Sequence, residues 1–266
     1  MLDVWIILLI LFGVSLLISS IGFKKFVWFL SVGYGLSILG CGIALLIIYF
    51  VENNINITGL IACILLIVYG FRLGGFLLIR ELKTVSYQKT LQEVTKTEKP
   101  IPMFVKATIW IVCALLYMGQ ASGVMFVLQS RIFTSFFDVT VLEIVGVSIM
   151  ALGIFIEALA DHQKSKSKKI DPSKPAMNGL YKICRCPNYY GEILMWTGVL
   201  VFFFTICTFA AWWMYVICIL AYISIVYVML NGAKRLEGRQ LKNYGESEEF
   251  KNYINKTPII FKLSSF

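Results

Sequence analysis

The residues with the clearest chemical potential lie close together at positions 179–192. They read Gly179-Leu180-Tyr181-Lys182-Ile183-Cys184-Arg185-Cys186-Pro187-Asn188-Tyr189-Tyr190-Gly191-Glu192. Pro187 predicts a helix start with Asn188 as its N-cap, and the free N–H groups there would suit a phosphate or a carboxylate. Gly191 would let a ligand approach the backbone. A cap and an interfacial tyrosine belt do not explain Glu192, which the pattern buries one turn into an apolar span, so we favour a binding role.

A second polar group follows the fifth apolar stretch. Glu157 and Asp161 are four residues apart and therefore share one face of a helix. A cluster of lysines comes directly after them: Lys164, Lys166, Lys168 and Lys169. These lysines could simply hold the end of a span at one side of the membrane. They could instead contact ligand phosphates while the two acids bind ribose hydroxyls. The residues alone favour the first interpretation.

Arg72 is a charged residue within an apolar stretch, where an ionisable group is costly. It could extend its side chain toward the membrane surface, pair with Glu157 or Glu143, or contact a substrate. Gly74 and the glycine after it would let another helix or a ligand come close to the backbone.

Metal chemistry is disfavoured by the histidine and cysteine content. The chain has seven cysteines but a single histidine, His162. Cys184 and Cys186 are too closely spaced for the usual CxxC metal knuckle, and a zinc site needs several converging ligands. The sequence therefore predicts no metal.

The elements that must position these residues are membrane spans. Hydrophobic residues make up 59% of the 266 residues and charged residues only 15%, and the mean hydropathy is +0.80. We predict an all-α, polytopic membrane bundle forming a single domain over residues 1–266, with amphipathic helices in the tail after Asn231. The seven predicted spans lie near Val4–Ile21, Phe26–Val51, Ile57–Ile79, Ala107–Leu128, Val139–Ala160, Ile193–Cys207 and Thr208–Leu230.

The net charge of +9 would suggest nucleic-acid binding in a soluble protein, but its distribution points to membrane topology instead. With seven spans, 22 of the 24 Lys and Arg residues fall in four alternate segments. These segments are Gly22–Lys25, Arg80–Lys106, Asp161–Tyr190 and the tail from Asn231. The positive-inside rule predicts that they are cytoplasmic and that the amino terminus is outside. We expect no nucleic-acid partner.

Several of these motifs resemble one known family. The run from Arg185 to Glu192 resembles the Arg-His-Pro-Asn-Tyr-aromatic-Gly-Glu signature of a bacterial-type family related to the carboxy-terminal domain of steroid 5-alpha-reductases, the DUF1295 type. Its superfamily also holds sterol reductases and isoprenylcysteine carboxyl methyltransferases. Further matches are Phe71-Arg72-Leu73-Gly74 with Arg80, Ser86-Tyr87-Gln88, Glu157 with Ala160-Asp161-His162-Gln163-Lys164, and the closing motif from Leu241 to Pro258. The resemblance covers about residues 57–266.

The resemblance implies an oxidoreductase that acts on CH–CH groups, uses NADPH and reduces the C=C bond of a lipid or steroid-like enone taken from the bilayer. The cofactor would bind in the half spanning about residues 157–266. The residues implied are Asn188, Tyr189 and Glu192 for the nicotinamide end, Glu157 and Asp161 for other polar groups, and Lys164, Lys168 and Arg185 for the phosphates.

The proton donor is implied by the same resemblance. Tyr69 aligns with the catalytic tyrosine of the steroid reductases, and Tyr34 is the alternative. The chain departs from the family pattern at Cys186, which replaces the usual histidine. It also has Ser31 and Tyr34 where the family tends to have an aspartate and a tryptophan.

Two other functions stay open at this point. The chain could be a membrane methyltransferase of the isoprenylcysteine carboxyl type that binds S-adenosylmethionine, although Glu237 stands alone where those enzymes usually have paired glutamates. It could also be a protein that keeps the fold without activity. Both the endoplasmic reticulum and the bacterial inner membrane are compatible locations.

Overall fold

The computed structural model describes residues 2–83, 101–172 and 174–261, and all regular secondary structure within them is helical. The predicted all-α fold class is confirmed. Within these ranges, eight α-helices follow in order: α1 (Val4–Ser19), α2 (Val32–Val51), α3 (Ile57–Lys83), α4 (Met103–Ser130), α5 (Val141–Ile170), α6 (Pro187–Phe203), α7 (Trp212–Tyr244) and α8 (Glu248–Lys256). Short 3-10 helices lie at Ser20–Phe23, Phe26–Phe29, Gly179–Lys182 and Phe204–Ile206. The predicted Ser86-Tyr87-Gln88 match lies outside the described residues.

In the part of the chain that the structure describes, seven helical segments are long and apolar enough to cross a membrane, as the sequence predicted. The protein is therefore an integral multi-pass membrane protein. The last two spans are separated by the 3-10 helix Phe204–Ile206 and a turn before Trp212. The orientation of the bundle stays a prediction.

The last span does not stop where its apolar residues end. Helix α7 continues beyond Leu230 to Tyr244, so 33 residues form one helix about 50 Å long. The hydrocarbon core is only about 30 Å thick. The predicted tail helices thus consist of an extension of α7 and one separate helix, α8. No proline interrupts α7, and good helix formers such as Ala233, Leu236 and Gln240 sustain it.

The chain forms two compact units. Unit 1 comprises Met1–Val147 and Leu200–Ala221, and unit 2 comprises Ser148–Val199 and Tyr222–Phe266. Unit 1 contains both candidate catalytic tyrosines, and unit 2 contains every residue implied to bind the cofactor. The single domain and the 157–266 cofactor-binding half stay predictions.

Unit 1 contains a polar cluster around Glu143, which is fully buried in the first turn of α5. Arg131 pairs with Glu143 and, at 2.9 Å, with Asp138. Asn56 and Thr58, at the start of α3, donate hydrogen bonds of 2.9 and 2.7 Å to the same carboxylate. The buried charge is thus fully supplied with donors, as a charge in such a place must be.

Unit 2 has an apolar core that joins α6, the extension of α7 and the end of the chain. Its buried members are Cys186, Ile193, Ala233 and Ile260, with Tyr189, Tyr190 and Leu236 among the residues packed against them. The segment that carries the sequence motif is therefore part of the core of this unit.

Candidate functional site

The two candidate catalytic residues contact each other in unit 1. The hydroxyl oxygens of Tyr34 on α2 and Tyr69 on α3 are 2.8 Å apart, which is an ordinary O–H···O hydrogen bond. Both side chains are buried. The ring of Tyr117 lies 5.2 Å from that of Tyr34, and its hydroxyl donates to the backbone carbonyl of Phe29. The structure thus brings together two residues that the sequence offered as alternatives.

The tyrosines meet because the backbones of α2 and α3 touch. A Cβ added to Gly35 would lie 2.5 Å from the backbone nitrogen of Gly74, and one added to Gly70 would lie 2.8 Å from the Cα of Leu39. Only glycine fits at such contacts, which membrane helices commonly use for close packing. We call Gly35, Gly70 and Gly74 the glycine seam. Each tyrosine directly precedes a seam glycine in the sequence, so the seam fixes both positions at once.

Arg72 lies half-buried on α3, one turn beyond Tyr69. Of the alternatives for Arg72, pairing with Glu143 is wrong, because the described partners of that carboxylate are Arg131, Asn56, Thr58 and the backbone of Thr140. Pairing with Glu157 and extension toward the membrane surface stay predictions. A role in binding substrate stays a prediction.

Glu81 is a buried acid of unit 1 that the sequence reasoning missed. Its carboxylate accepts a hydrogen bond of 2.9 Å from the ammonium of Lys25, another from the indole of Trp28 and one of 3.4 Å from the hydroxyl of Ser31. Glu81 lies near the end of a predicted span, where an acidic residue is expected to be an exposed surface charge. One of its partners, Trp28, belongs to the 3-10 helix Phe26–Phe29, which the sequence did not predict.

In unit 2, α5 and α6 also touch through glycines. A Cβ on Gly153 would lie 2.6 Å from the carbonyl oxygen of Gly191, and one on Gly191 would lie 2.7 Å from the backbone nitrogen of Glu157. The space beside Gly191 is therefore filled by α5, and the prediction that this glycine admits a ligand is wrong. The crossing buries two acids, Glu157 at 3% exposure and Glu192 at 5%.

Helix α5 also holds the segment before α6. The side-chain oxygen of Gln163 accepts a hydrogen bond of 2.8 Å from the backbone N–H of Leu180. Gly179 has a φ of +66°, a left-handed conformation, and a Cβ there would lie 2.6 Å from Cδ of Gln163. Glycine is needed at this turn for both reasons. Tyr181, which is buried, donates a hydrogen bond of 3.4 Å to the carbonyl of Ala160.

The end of the chain ties down the same segment. The backbone N–H groups of Arg185 and Cys186 donate to the carbonyls of Pro258 and Ile259 at 2.8 and 2.9 Å. We call residues 253–260 the C-terminal strap. At its start, the hydroxyl of Tyr253 donates 2.7 Å to the carbonyl of Tyr181. The motif is thus held from both sides.

Arg185 already has an acidic partner. Its guanidinium lies 2.7 Å from Glu237 of α7, and the residue is only 8% exposed. A phosphate contact by Arg185 would therefore compete with this ion pair. The Nε atom of the same guanidinium is buried and makes no hydrogen bond with any described residue.

Asn188 does not cap α6. The helix begins at Pro187, so Asn188 lies inside its first turn and the predicted N-cap is wrong by two positions. Proline is favoured at the first helical position because its missing N–H costs nothing there. The side-chain oxygen of Asn188 is shielded from solvent and accepts no hydrogen bond from the described residues. It is an acceptor that fits a ligand donor.

The four lysines that follow Glu157 and Asp161 on α5 have different environments. Lys168 donates to the carbonyls of Pro172 and Lys174 at 3.0 and 2.7 Å and to the hydroxyl of Tyr244 at 2.8 Å. An ammonium has three donors, so these contacts use all of them. Lys168 therefore braces a turn. Lys164 is half-buried, whereas the two other lysines of the cluster are exposed.

The pKa values describe the interior of the motif. Burial raises the pKa of Cys186 from 9.0 to about 11, although the nearby charges of Lys164 and Arg185 act to lower it. Burial also raises the pKa of Cys184. The pKa of Tyr181 is raised by burial and, less strongly, by the negative charge of Asp161. The hydrogen bonds of Tyr181 to Ala160 and of Leu180 to Gln163 bring this segment to the part of α5 that carries Asp161 and Lys164.

A basic groove on α7 was missed in the sequence. Arg235, Arg239 and Lys242 line a cavity of about 530 Å³ together with Tyr189 and two glycines of α7, Gly232 and Gly238. The signal was present as basic residues spaced four and three apart on a helix. From the sequence, this segment was interpreted only as part of an amphipathic tail.

Among the described residues, no group of three or more His, Cys, Asp or Glu side chains is arranged to hold a metal ion.

A family model described as "Protein of unknown function (DUF1295)" matches residues 11–257. The chain belongs to this family. The DUF1295 match begins within α1 and ends just after α8, so it extends further toward the amino terminus than the 57–266 region that the motifs indicated. No curated protein and no solved structure matches the chain. Membership of a wider reductase superfamily stays a prediction.

Proposed function

We propose that this DUF1295 protein is a membrane-embedded, NADPH-dependent reductase of the C=C bond in a lipid or steroid-like enone. The observation that carries the proposal is the buried hydroxyl pair of Tyr34 and Tyr69, 2.8 Å apart. The carbonyl oxygen of an enone gains negative charge as its C=C bond is reduced, and a hydrogen-bond donor there stabilises the transition state. Methyl transfer to a carboxylate has no comparable need for a donor.

The pair can both donate and replace a proton. Two touching hydroxyls carry two protons, and only one of them bridges the oxygens. We propose that in the substrate complex Tyr34 donates to Tyr69 and Tyr69 donates to the substrate carbonyl. The reaction consumes one hydride and one proton: the hydride bonds to the β-carbon, and the proton reaches the α-carbon through the enol. NADPH, when bound, supplies the hydride.

Unit 2 has residues that fit such a cofactor. Asn188 offers a buried acceptor oxygen, which a carboxamide N–H such as that of nicotinamide would satisfy. Lys164 lies near the motif and would face a phosphate. Glu157, Asp161 and Glu192 are buried beside them and would bind hydroxyl groups, as would Tyr189 through its own hydroxyl. Arg185 and Lys168 are engaged within the protein and contribute position more than contact.

Binding is tested with detergent-purified protein. NADPH should raise the thermal midpoint, because a ligand of the folded state stabilises it by mass action. Asn188→Ala should weaken NADPH binding about tenfold, the effect of losing one buried hydrogen bond. Stabilisation by S-adenosylmethionine alone would favour the methyltransferase instead and would sink the proposed cofactor.

Activity is tested by NADPH oxidation with a steroid-like enone as probe. Tyr69→Phe should lower kcat by about 100-fold or more, since positioned proton donors contribute that much. Tyr34→Phe should lower it less and shift its pH dependence. Tyr49→Phe is the matched control, because Tyr49 is equally buried in unit 1 and donates to Met125. Full activity in both Tyr34→Phe and Tyr69→Phe would refute the role of the pair.

A further inference from the structure

The extension of α7 presents three cations on one face. Arg235, Arg239 and Lys242 are spaced four and three residues apart, so they fall within a narrow arc and cover about 10 Å along the helix. The ring of Tyr189 forms one wall of the groove. A Cβ added to Gly232 would lie 3.4 Å from that ring, in ordinary contact.

These cations lack acidic partners within the described part of the chain. No ion pair or side-chain hydrogen bond joins Arg235, Arg239 or Lys242 to another described residue, and all three are exposed. The one acid between them on α7, Glu237, is occupied by Arg185. The groove therefore carries a concentrated positive charge.

Gly238 keeps the groove open at a cost to the helix. A glycine inside a helix is less favourable than alanine by roughly 0.5–1 kcal/mol. Packing does not require it here, because a Cβ at this position would meet nothing within 4 Å. Its missing side chain instead leaves room between the cations.

We infer that this groove binds a phosphate group. Arginine guanidinium groups match phosphate oxygens in geometry and bind them with charge-assisted hydrogen bonds. The groove begins about 8 Å beyond Leu230, the last residue of the apolar part of α7, which is the depth of lipid head groups. The phosphate belongs either to an anionic lipid head group or to a soluble dinucleotide. The inference does not depend on reductase activity, since binding alone tests it.

The first arm uses a soluble probe. Calorimetry with inorganic pyrophosphate compares the parent with Arg235→Gln/Arg239→Gln/Lys242→Gln. The variant should bind roughly 100-fold more weakly, since each basic residue near a phosphate is worth about fivefold. The matched control, Lys182→Gln/Lys234→Gln/Lys256→Gln, removes the same charge from exposed residues of unit 2 outside the groove and should bind like the parent.

The second arm identifies the source. Retention of phosphatidylglycerol relative to phosphatidylcholine is measured by native mass spectrometry, and NADPH affinity is measured in both triple variants. Loss of phosphatidylglycerol only in the groove variant assigns the phosphate to a lipid, and loss of NADPH affinity only there assigns it to the dinucleotide. Equal pyrophosphate, lipid and NADPH binding in both variants overturns the inference.

A filled groove provides a test that leaves the charges in place. Gly238→Leu should fold, because its Cβ meets nothing within 4 Å, and its side chain would occupy the space between the cations. Pyrophosphate affinity should fall at least severalfold. Unchanged affinity in Gly238→Leu would show that the ligand does not enter the groove and would also overturn the inference.

Discussion

In unit 1, direct contact between two helix backbones positions the polar pair of Tyr34 and Tyr69. In unit 2, by contrast, residues 179–188 of the motif are positioned by side-chain hydrogen bonds, an ion pair and the C-terminal strap. The first arrangement depends on the absence of Cβ atoms at the glycine seam. The second depends on Gln163, Glu237 and backbone groups near the end of the chain.

The two units thus illustrate two ways in which a membrane protein can fix the positions of its side chains. A seam of touching backbones leaves little freedom, because any added atom meets main chain that cannot move aside cheaply. A network of hydrogen bonds can adjust, but every partner that is removed leaves a buried polar group unsatisfied. The position of the tyrosine pair should therefore be sensitive to added volume at the seam, and the position of residues 179–188 to the loss of polar partners.

The largest effect is expected at the seam. Gly70→Ala would place a Cβ 2.8 Å from the Cα of Leu39 and even closer to backbone atoms of both Leu39 and Gly35. We expect a loss of about 3 kcal/mol or more in the free energy of unfolding, at the upper end for overpacking. Unfolding in detergent mixtures measures it. Gly75→Ala is the control, since a Cβ there meets nothing within 4 Å. Equal stability of the two variants would contradict the seam.

A second test concerns the buried thiol of unit 2. Because burial raises the pKa of Cys186 to about 11, its thiolate is about 100-fold scarcer below pH 9 than that of an ordinary cysteine. Alkylation by iodoacetamide, followed by mass spectrometry, should be slow at pH 8 and rise about tenfold per pH unit. Cys207 is exposed and serves as the internal reference.

The same shift has a consequence for stability. The folded state favours the protonated thiol, so this contribution is complete below pH 9 and is lost as the pH rises through 11. The thermal midpoint should thus fall over that range, and by less in Cys186→Ser. Rapid alkylation of Cys186 at pH 8 would show that this core is open to water.

A smaller effect is expected from the ion pair of the motif. Glu237→Gln removes the charge that neutralises Arg185, which stays buried. We expect a loss of about 2 kcal/mol, measured by unfolding in detergent mixtures. The double variant Arg185→Gln/Glu237→Gln should recover part of it, because no lone charge is left. Additive losses in the double variant would mean that the two residues are not coupled.

The smallest effect is expected at the surface. Lys174 and Glu249 lie 3.7 Å apart, and both side chains are more than half exposed. Exposed pairs contribute little, so Glu249→Gln should change the free energy of unfolding by less than about 0.5 kcal/mol. A loss as large as that of Glu237→Gln would show that charge at unit 2 matters regardless of burial.

Much of the fold follows from local pattern. The seven apolar runs predicted seven spans because a hydrocarbon core demands continuous apolar helices of about 20 residues. Boundaries were less accurate: the sixth span begins at Pro187 rather than Ile193, since Tyr189 and Glu192 look polar in sequence but pack inside unit 2. Hydropathy depends on residue type alone and does not show which polar residues their neighbours bury.

The candidate site residues were chosen by residue type and resemblance, and the sequence did not give their geometry. Tyr34 and Tyr69 were both candidates, but only the structure shows that their hydroxyls form a hydrogen bond. Their catalytic role stays a prediction. Lys168 and Arg185 were assigned to phosphates because charge alone does not reveal the internal partners that both possess. Arg235 and Arg239 were overlooked, although helical spacing alone could have placed them on one face.

The polar cluster of unit 1 has a consequence for how the chain is assembled. Glu143 enters α5 as a fully buried acid, and every partner described for its carboxylate precedes it in the chain or stands directly before it. Asn56 and Thr58 have been made long before, and Arg131 emerges twelve residues earlier. Because synthesis runs from the amino terminus, the described partners of Glu143 are already present when this acid enters the membrane, so its charge can be paired at once.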